Sequence, residues 1–396
     1  MLRVLVLTSR FPDRLRPNLG NFVERQTLEL AARPGIEVEV IAPIGRAPFP
    51  FSLAGSGMLD GLPEEEMWKT LPVHRPRFAA LPYFPRLRPG ALARRLLPLA
   101  RSIRRRFPFD IVSAEFSWPD GPAAVALGRA LGVAVVIKAR GMEFEGRARS
   151  ASIRRQLVAA GEAAQGLLAV SESVKRAMVS AGLPGERIAV HRPAVDSKLF
   201  RPGDREAAKA RLGISGPLLL AVGNLIPQKG HRLAIEALAL LEGATLIVAG
   251  AGPERRSLLA RARDLGVSER LRLTGSVPHD LLPSIYAAAD VTVHPSRVEG
   301  FGNVRLESLA CGTPLVTTSV GDGALIVDRP AAGRIVEADP EAIAAAVRAL
   351  LADPPQPGEV RAAILGYGWG VQAEALELHL RAAIAARSAA ARSPGR

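Results

Sequence analysis

Along nearly the whole chain, short runs of β-branched and other apolar residues alternate with helix-like stretches, the pattern of βαβ units joined into a parallel sheet. Strands are expected at 3–8, 37–41, 111–114, 133–138, 167–170 and 188–191 in the first half. A second series follows at 218–222, 245–249, 271–274, 291–294, 315–318 and 334–336. Helices are expected between them, at 22–33, 123–131 and 153–161, then at 232–241, 254–265, 281–288, 304–310 and 340–351. Pro, Gly and charge cluster at 200–204 (FRPGD) and again at 213–217, which places a boundary near 196–216. A length of 396 residues also exceeds one typical core. The expected organisation is an α/β domain at 1–200, a second at 201–365, a helix at 366–387 packing back toward the first, and a disordered low-complexity tail at 388–396. Ligands of open parallel sheets bind beyond the carboxyl ends of the strands, so a cleft between the two domains is the expected binding place.

Charge narrows the partners. With 52 basic and 38 acidic residues the net charge is +14, which favours anionic ligands or surfaces. From 70 to 109 there is no Asp or Glu, while Arg75, Arg77, Arg86, Arg88, Arg94, Arg95, Arg101, Arg104, Arg105 and Arg106 fall there. Leu92, Leu96, Leu99 and Ile103 lie on one helical face, and Pro98 within them predicts two short helices or a kink. This basic segment, 75–106, suits an anionic membrane surface; it suits equally a surface helix that packs its Leu stripe inward. Nucleic acid is not expected as a partner. No run of about 18 apolar residues reads as a spanning helix, and the opening MLRVLVLTSRF reads as a first strand rather than a secretory signal. The single cysteine, Cys311, excludes an intrachain disulfide framework. A cytoplasmic protein, peripheral at the inner face of the cell membrane, is the expected setting.

Two stretches carry the chemistry. In HPSRVEGFGNVRLESLACGTPLV, Glu299 and Glu307 stand eight positions apart across a Gly-rich loop that turns into a helix. Gly300 and Gly302 permit close approach of the backbone to a ligand, and the helix start near Asn303 offers free N–H groups. Glu307, about one turn into that helix, is placed to accept hydrogen bonds from a diol such as a ribose. In AVGNLIPQKGH, residues 221–231, a flexible loop and Lys229 precede a helix, which suits a diphosphate whose negative charge grows as a sugar–phosphate bond breaks.

The first stretch resembles the E-x7-E motif of the retaining GT-B glycosyltransferases of family 4, including the A-C-G-T-P segment that follows it. The resemblance implies a GT-B fold, two Rossmann-like βαβ domains facing across a cleft, acting on a nucleotide sugar. It implies that Glu299 contacts the donor sugar, that Glu307 holds the ribose, and that the backbone of Phe301, Gly302, Asn303 and Val304 reaches sugar and phosphate. Residues 221–231 resemble the family's V-G-R-L-x-x-x-K-G, with Lys229 on the diphosphate and Asn224 where an arginine is usual. Residues 245–254 (TLIVAGAGPE) and 271–278 (LRLTGSVP) match two further family stretches, the backbone near Val277 facing the nucleobase. In the first half, residues 11–26 resemble the family's opening loop, with Gly20 meeting the diphosphate. Residues 135–143 occupy its T-x-H-G-x-D position, with Arg140 in place of the His and Glu143 in place of the acid. Arginine cannot serve as a general base, so Arg140 is expected to clamp phosphate or an acceptor anion. Two other departures are Pro193-Ala-Val-Asp196 for N-G-V-D, and Gly321-Asp-Gly-Ala-Leu325, where the usual acid is a leucine.

What the resemblance implies is a retaining hexosyltransferase with Glu299, Lys229 and Arg140 as catalytic residues, needing no metal or other cofactor. The donor is a UDP- or GDP-sugar and the acceptor a glycan, glycolipid or lipid-linked precursor of the cell envelope. A catalytically inactive GT-B binding module and a nucleotide-sugar epimerase stay open as alternatives.

Overall fold

The computed structural model describes residues 1–47, 59, 61–81, 83–146, 148 and 150–392. They divide into two compact units, one of Met1–Arg192 with the segment from Trp369 onward, the other of Pro193–Gly368.

The strands of the first unit are β1 (Leu2–Leu7), β2 (Ile36–Ile41), β3 (Ile44–Arg46), β4 (Glu65–Trp68) and β5 (Leu71–His74). After them come β6 (Arg77–Ala79), β7 (Ile111–Ala114), β8 (Ala134–Ala139), β9 (Gly166–Ala169) and β10 (Ile188–Val190). One eight-stranded sheet runs β10-β9-β8-β7-β1-β2-β5-β4, parallel except for the antiparallel edge strand β4. Strands β3 and β6 pair apart from it. β7 and β8 are buried at every residue, which is why IVSA and AVVIKA read as runs rather than alternations. The short stretches β3 to β6 were not expected from the sequence: EEMW in β4 is half-exposed edge strand and gives little apolar signal. The helices here are α1 (Asn21–Ala31), α2 (Arg88–Arg106), α3 (Asp120–Leu131), α4 (Met142–Glu145), α5 (Ala151–Ala163) and α6 (Glu172–Ser180).

The second unit holds β11 (Leu218–Val222), β12 (Thr245–Ala249), β13 (Leu271–Gly275), β14 (Val291–His294), β15 (Leu315–Thr317) and β16 (Gly333–Ile335). They form one all-parallel sheet, β13-β12-β11-β14-β15-β16. Helices α7 (Arg205–Arg211), α8 (His231–Ala239), α9 (Arg255–Asp264) and α10 (Leu282–Ala288) belong to it, with α11 (Asn303–Ala310), α12 (Gly323–Ile326), α13 (Pro340–Ala352) and α14 (Pro357–Ala362). Leu219, Leu246, Val248, Val291 and Val293 of the sheet pack against Ile235 and Leu238 of α8 and Ile343 and Val347 of α13. Successive strands run one way from β11 and the other way from β14, so these neighbours are a topological switch point. In the first unit the same reversal falls between β1 and β7. The loops leaving these four strands carry most of the residues singled out in the sequence.

The last helix, α15 (Trp369–Arg392), returns to the first unit and packs along α1 and β8. Its Leu376, Leu380 and Ala383 enter the core with Val4, Val6, Val23 and Val136, and Glu377 pairs with Arg33 at 2.6 Å. The chain passes between units at Arg192–Pro193 and Gly368–Trp369 rather than near 200 and 365. Residues after Pro193 belong to the second unit because Val195 bridges Gly368 and its N–H donates to the Tyr367 carbonyl at 2.9 Å. Residues 388–392 continue α15 instead of forming a tail, since SAAAR is helix-favouring; the rest of the expected tail lies outside the described residues.

α2 corrects a second expectation. It is one helix through Pro98 rather than the two short ones offered beside a kink, and Pro98 lies on the exposed side where the freed Arg94 carbonyl can meet water. Leu92, Leu96, Ala100 and Ile103 are buried, packed toward α3, so the apolar stripe is spent inside the unit. Among the described residues no helix is long and apolar enough to cross a membrane.

Leu380 is fully buried. Leu380→Ala is expected to cost the first unit about 2–5 kcal/mol, read as a lower urea midpoint; an unchanged midpoint would mean that α15 does not complete this core.

Candidate functional site

The second unit assembles its polar cluster on the loops that follow β11 and β14. After Val222 the chain turns through Gly223 and Asn224 and makes a short 3-10 turn at Pro227–Lys229. It then passes Gly230 (φ 68°) into α8. A Cβ on Gly230 would lie 2.2 Å from the Pro295 carbonyl, so only glycine lets the two loops touch. The Arg297 N–H, donating to the Gln228 carbonyl at 2.8 Å, ties them again.

Glu299 sits where they meet. Its Oε1 accepts from Lys229 Nζ at 2.5 Å, from His294 Nε2 at 2.9 Å and from Ser296 Oγ at 2.9 Å. Oε2 takes no hydrogen bond among the described residues. Burial alone would raise this carboxyl, but the His294 hydrogen bond and the Lys229 ammonium outweigh it and hold Glu299 ionised, below the usual carboxylate range. Burial likewise lowers His294; the neutral ring keeps its Nε2 proton for Glu299. His231 is brought down to about 4 by burial and by His294, and its Nε2 faces the Asn224 carbonyl at 3.2 Å. Asn224 itself has an exposed side chain. The result is one ionised carboxylate with an oxygen to offer, beside one ammonium that, among the described residues, only that carboxylate engages.

Gly302 (φ 89°) caps α11, whose first N–H groups have no intrahelical partner. Phe301 is buried with its ring 6.1 Å from that of Tyr367, so the loop presents backbone rather than side chain at this position. Asn303 and Val304 are half-buried at the helix start. Arg305 lies behind them with no solvent exposure. It donates through Nε to Thr317 Oγ1 at 3.1 Å and through its terminal nitrogens to the carbonyls of Phe301 (2.9 Å) and Thr318 (3.3 Å). Cβ atoms on Gly302, Gly321 or Gly323 would come within 3.3–3.4 Å of this side chain. Burial lowers its pKa to about 10, with Glu299 and Asp322 opposing that shift, so it remains a cation at neutral pH. Glu307, one turn into α11, is engaged at both oxygens, by His279 Nε2 at 3.1 Å and Tyr286 OH at 2.9 Å. The Phe200 ring supports both partners edge-on at 5.1 and 6.0 Å. Val277 is half-buried in the loop after β13, two residues before His279. The loop therefore reaches Glu307 through a histidine.

In the first unit the loops after β1, β7 and β8 meet. Gly20 (φ 70°) caps α1, and a Cβ there would lie 2.3 Å from the Arg10 carbonyl. Arg140 departs from expectation. Its side chain is only 8% exposed and paired with Glu115; Nε donates to the Glu115 carbonyl at 2.9 Å and a terminal nitrogen reaches Gln26 Oε1 at 3.3 Å. Its guanidinium carbon stands 4.8 Å from the Phe22 ring centroid. A cation so neutralised is not presented for an anionic ligand. Lys138, also buried, donates to Gln26 Oε1 at 2.6 Å and contacts His191 Nδ1 at 2.5 Å. Burial drives Lys138 well below its ordinary value and His191 down to about 2. Asp120 and Glu143 are raised by burial, Asp120 to about 7. Glu143 accepts from the Ser117 N–H at 3.1 Å and Asp120 from the Ser9 N–H at 2.8 Å.

The structure thus brings Glu299 and Lys229 together at the loop that leads to 301–304, with Asn224 exposed in the loop after β11 and Glu307 further along α11. Sequence reasoning did not pick out His294, Ser296, His231, Arg305, His279 or Tyr286. A signal existed for His294 and Ser296, which stand at the end of β14 and in the loop before Glu299. None existed for His279, whose partner is 28 residues away.

Two Rossmann-like units with ligand loops at the switch point of each sheet define the GT-B class. A profile described as Glycosyltransferase Family 4 matches residues 19–199, and one described as Glycosyl transferases group 1 matches 204–364. The chain is 32% identical to D-inositol 3-phosphate glycosyltransferase 1 of Catenulispora acidiphila, over 74% of this chain and 78% of that protein. It is 30% identical to the D-inositol 3-phosphate glycosyltransferase of Acidothermus cellulolyticus, over 94% of this chain and 87% of the relative. Among solved structures, sucrose-phosphate synthase from Thermosynechococcus elongatus superposes with a TM-score of 0.77 at 20% identity, covering 98% of this chain and 100% of that one. Anabaena HepE in complex with UDP gives 0.69 at 19% identity, covering 99% of each. The chain belongs to the group 1 glycosyltransferases and transfers a sugar from a nucleotide sugar.

Two outcomes follow from the buried charges. Arg305→Met would leave the Phe301 and Thr318 carbonyls unanswered, at about 1–3 kcal/mol each, and should lower the melting temperature and raise the donor KM, with Arg305→Lys in between; a methionine variant that matches the parent in both would refute the role. Asp120, raised to about 7, keeps in the native state a proton that the unfolded chain releases from roughly pH 4. Stability should therefore fall as pH rises from about 4 to 7 and level off above. Asp120→Asn should flatten that slope in urea titrations; an unaltered slope would assign it to other groups.

Proposed function

We propose that the protein is a retaining, metal-independent hexosyltransferase using a UDP- or GDP-sugar, and that the second unit holds the donor. The observation that carries this reading is Glu299: Oε1 is saturated by three donors while Oε2 remains for a ligand. In this reading Oε2 accepts hydroxyls of the donor sugar and orients its anomeric carbon. Lys229, 22% exposed and engaged among the described residues only by Glu299, turns to the diphosphate and stabilises the charge on the leaving β-phosphate. The N–H groups of 301–304 and the amide of Asn224 add neutral donors to the phosphate oxygens. Glu307, oriented by His279 and Tyr286, accepts from the ribose diol, and the backbone at Val277 meets the base. Arg140 holds Glu115 and Gln26 in place rather than touching ligand.

With an ammonium rather than a divalent ion at the leaving group, no metal is required in this mechanism. The departing phosphate oxygen takes the acceptor's proton as the acceptor attacks from the same face, giving retention. The acceptor is a hydroxyl on a phosphate-bearing molecule: two relatives are named for D-inositol 3-phosphate, and a net charge of +14 favours an anionic acceptor. A glycan or lipid-linked precursor of the cell envelope would be told apart from a polyol phosphate by the product formed.

In a thermal-shift screen, one of UDP, GDP and ADP should raise the melting temperature with EDTA present, and Glu307→Ala should abolish that shift. Lys229→Ala should lower kcat by about 10²–10³-fold while the fold is kept. Turnover that vanishes with EDTA and returns with magnesium, or an inverted product anomer, would overturn the mechanism.

A further inference from the structure

We propose that the corner of the first unit built by residues 83–88 and the start of α5 docks on an anionic bilayer surface. Tyr83, Phe84 and Leu87 are 77%, 45% and 50% exposed, three large apolar side chains within five positions. They lead directly into α2, whose own apolar stripe cannot serve a membrane because it is buried in the unit. The docking element is therefore the tip before the helix and not the helix face.

Cations stand at this tip and along the helix that follows it. Arg86 is exposed beside it, and Arg94, Arg95, Arg101 and Arg105 are exposed along α2. The start of α5 reaches the same corner through Gln156, whose amide donates to the Arg86 carbonyl at 2.8 Å and accepts from Trp118 Nε1 at 3.0 Å. Arg154 and Arg155, both exposed, precede Gln156 on α5. Arg75, Arg77, Arg104 and Arg106 are otherwise committed, to Glu66, Glu64, the Leu131 carbonyl and Glu39. No acidic residue occurs between 70 and 109 to offset the rest.

Aromatic and aliphatic side chains at headgroup level, with guanidinium groups on lipid phosphates, are the two signals that together hold a protein reversibly on an anionic leaflet. Leu87 favours a bilayer over nucleic acid, since it has no face on which a base could stack. This inference does not depend on the donor site.

The full chain should be sedimented with phosphatidylcholine vesicles and with vesicles that also contain phosphatidylglycerol, at low and physiological salt. Binding to the anionic vesicles should exceed binding to the neutral ones at least about tenfold and weaken as salt rises. Tyr83→Ser with Phe84→Ser and Leu87→Ser should abolish it at an unchanged melting temperature. Arg86→Glu with Arg154→Glu and Arg155→Glu should do so independently. The proposal is overturned if the parent ignores both vesicles or binds them equally. It is also overturned if both variants bind as the parent does, or if an oligonucleotide duplex displaces the anionic vesicles and binds through the same residues.

Discussion

A guanidinium shut away from water must have its donors answered by protein oxygens, and Arg305 meets that demand by holding three segments together. Its bonds run to Phe301 on the loop before α11 and to Thr317 and Thr318 at the end of β15. Glycines at 302, 321 and 323 leave the space its side chain fills. The geometry of the 299–304 loop, and through it the placing of Glu299 opposite Lys229, rests on this one buried cation. Its charge also lies behind the turn whose N–H groups are proposed to meet phosphate, so it favours an anion in front of it without touching one. An arginine usual at position 224 is absent; Arg305 gives the unit a permanent positive charge elsewhere.

The first unit uses its buried cations differently. Arg140 and Lys138 converge on Gln26, with Glu115 and His191 completing the set, so that the ends of β7 and β8 are fastened to α1. His191 extends the network by facing the Gln372 carbonyl of α15 at 2.8 Å. A lysine so desolvated favours its neutral form, which lets it lie beside Arg140 without strong repulsion. Charge that looks like ligand-binding capacity in the sequence is here internal fastening.

The regular elements around the sheets were legible because hydrophobic period and glycine punctuation act locally. The expected helix at 304–310 is Asn303–Ala310 and the expected strand at 245–249 is Thr245–Ala249. Glu299 and Lys229 were singled out through motif context, and the structure sets them 2.5 Å apart. Local pattern fails where a residue's role is set by a distant partner. Arg140 reads as an available cation until Glu115 is placed against it. His279 reads as a loop histidine until α11 brings Glu307 to it. Pro98 reads as a break, yet the helix continues with the freed carbonyl on its exposed side.

Because α15 belongs to the first unit while Pro193–Gly368 is the second, the first unit is written in the gene as two pieces with the second unit between them. On the ribosome the second unit emerges complete and can fold as a continuous segment. The first unit's sheet emerges earlier, yet the face that receives Leu376, Leu380 and Ala383 stays uncovered until α15 follows the second unit. The unit begun earlier thus closes after the one that interrupts it, and until α15 arrives it carries an open apolar groove next to polar groups that lack their final partner. A nascent chain of this design has its greatest exposure to chaperones and to misassociation in the half that looks, by order of appearance, as though it should be finished first.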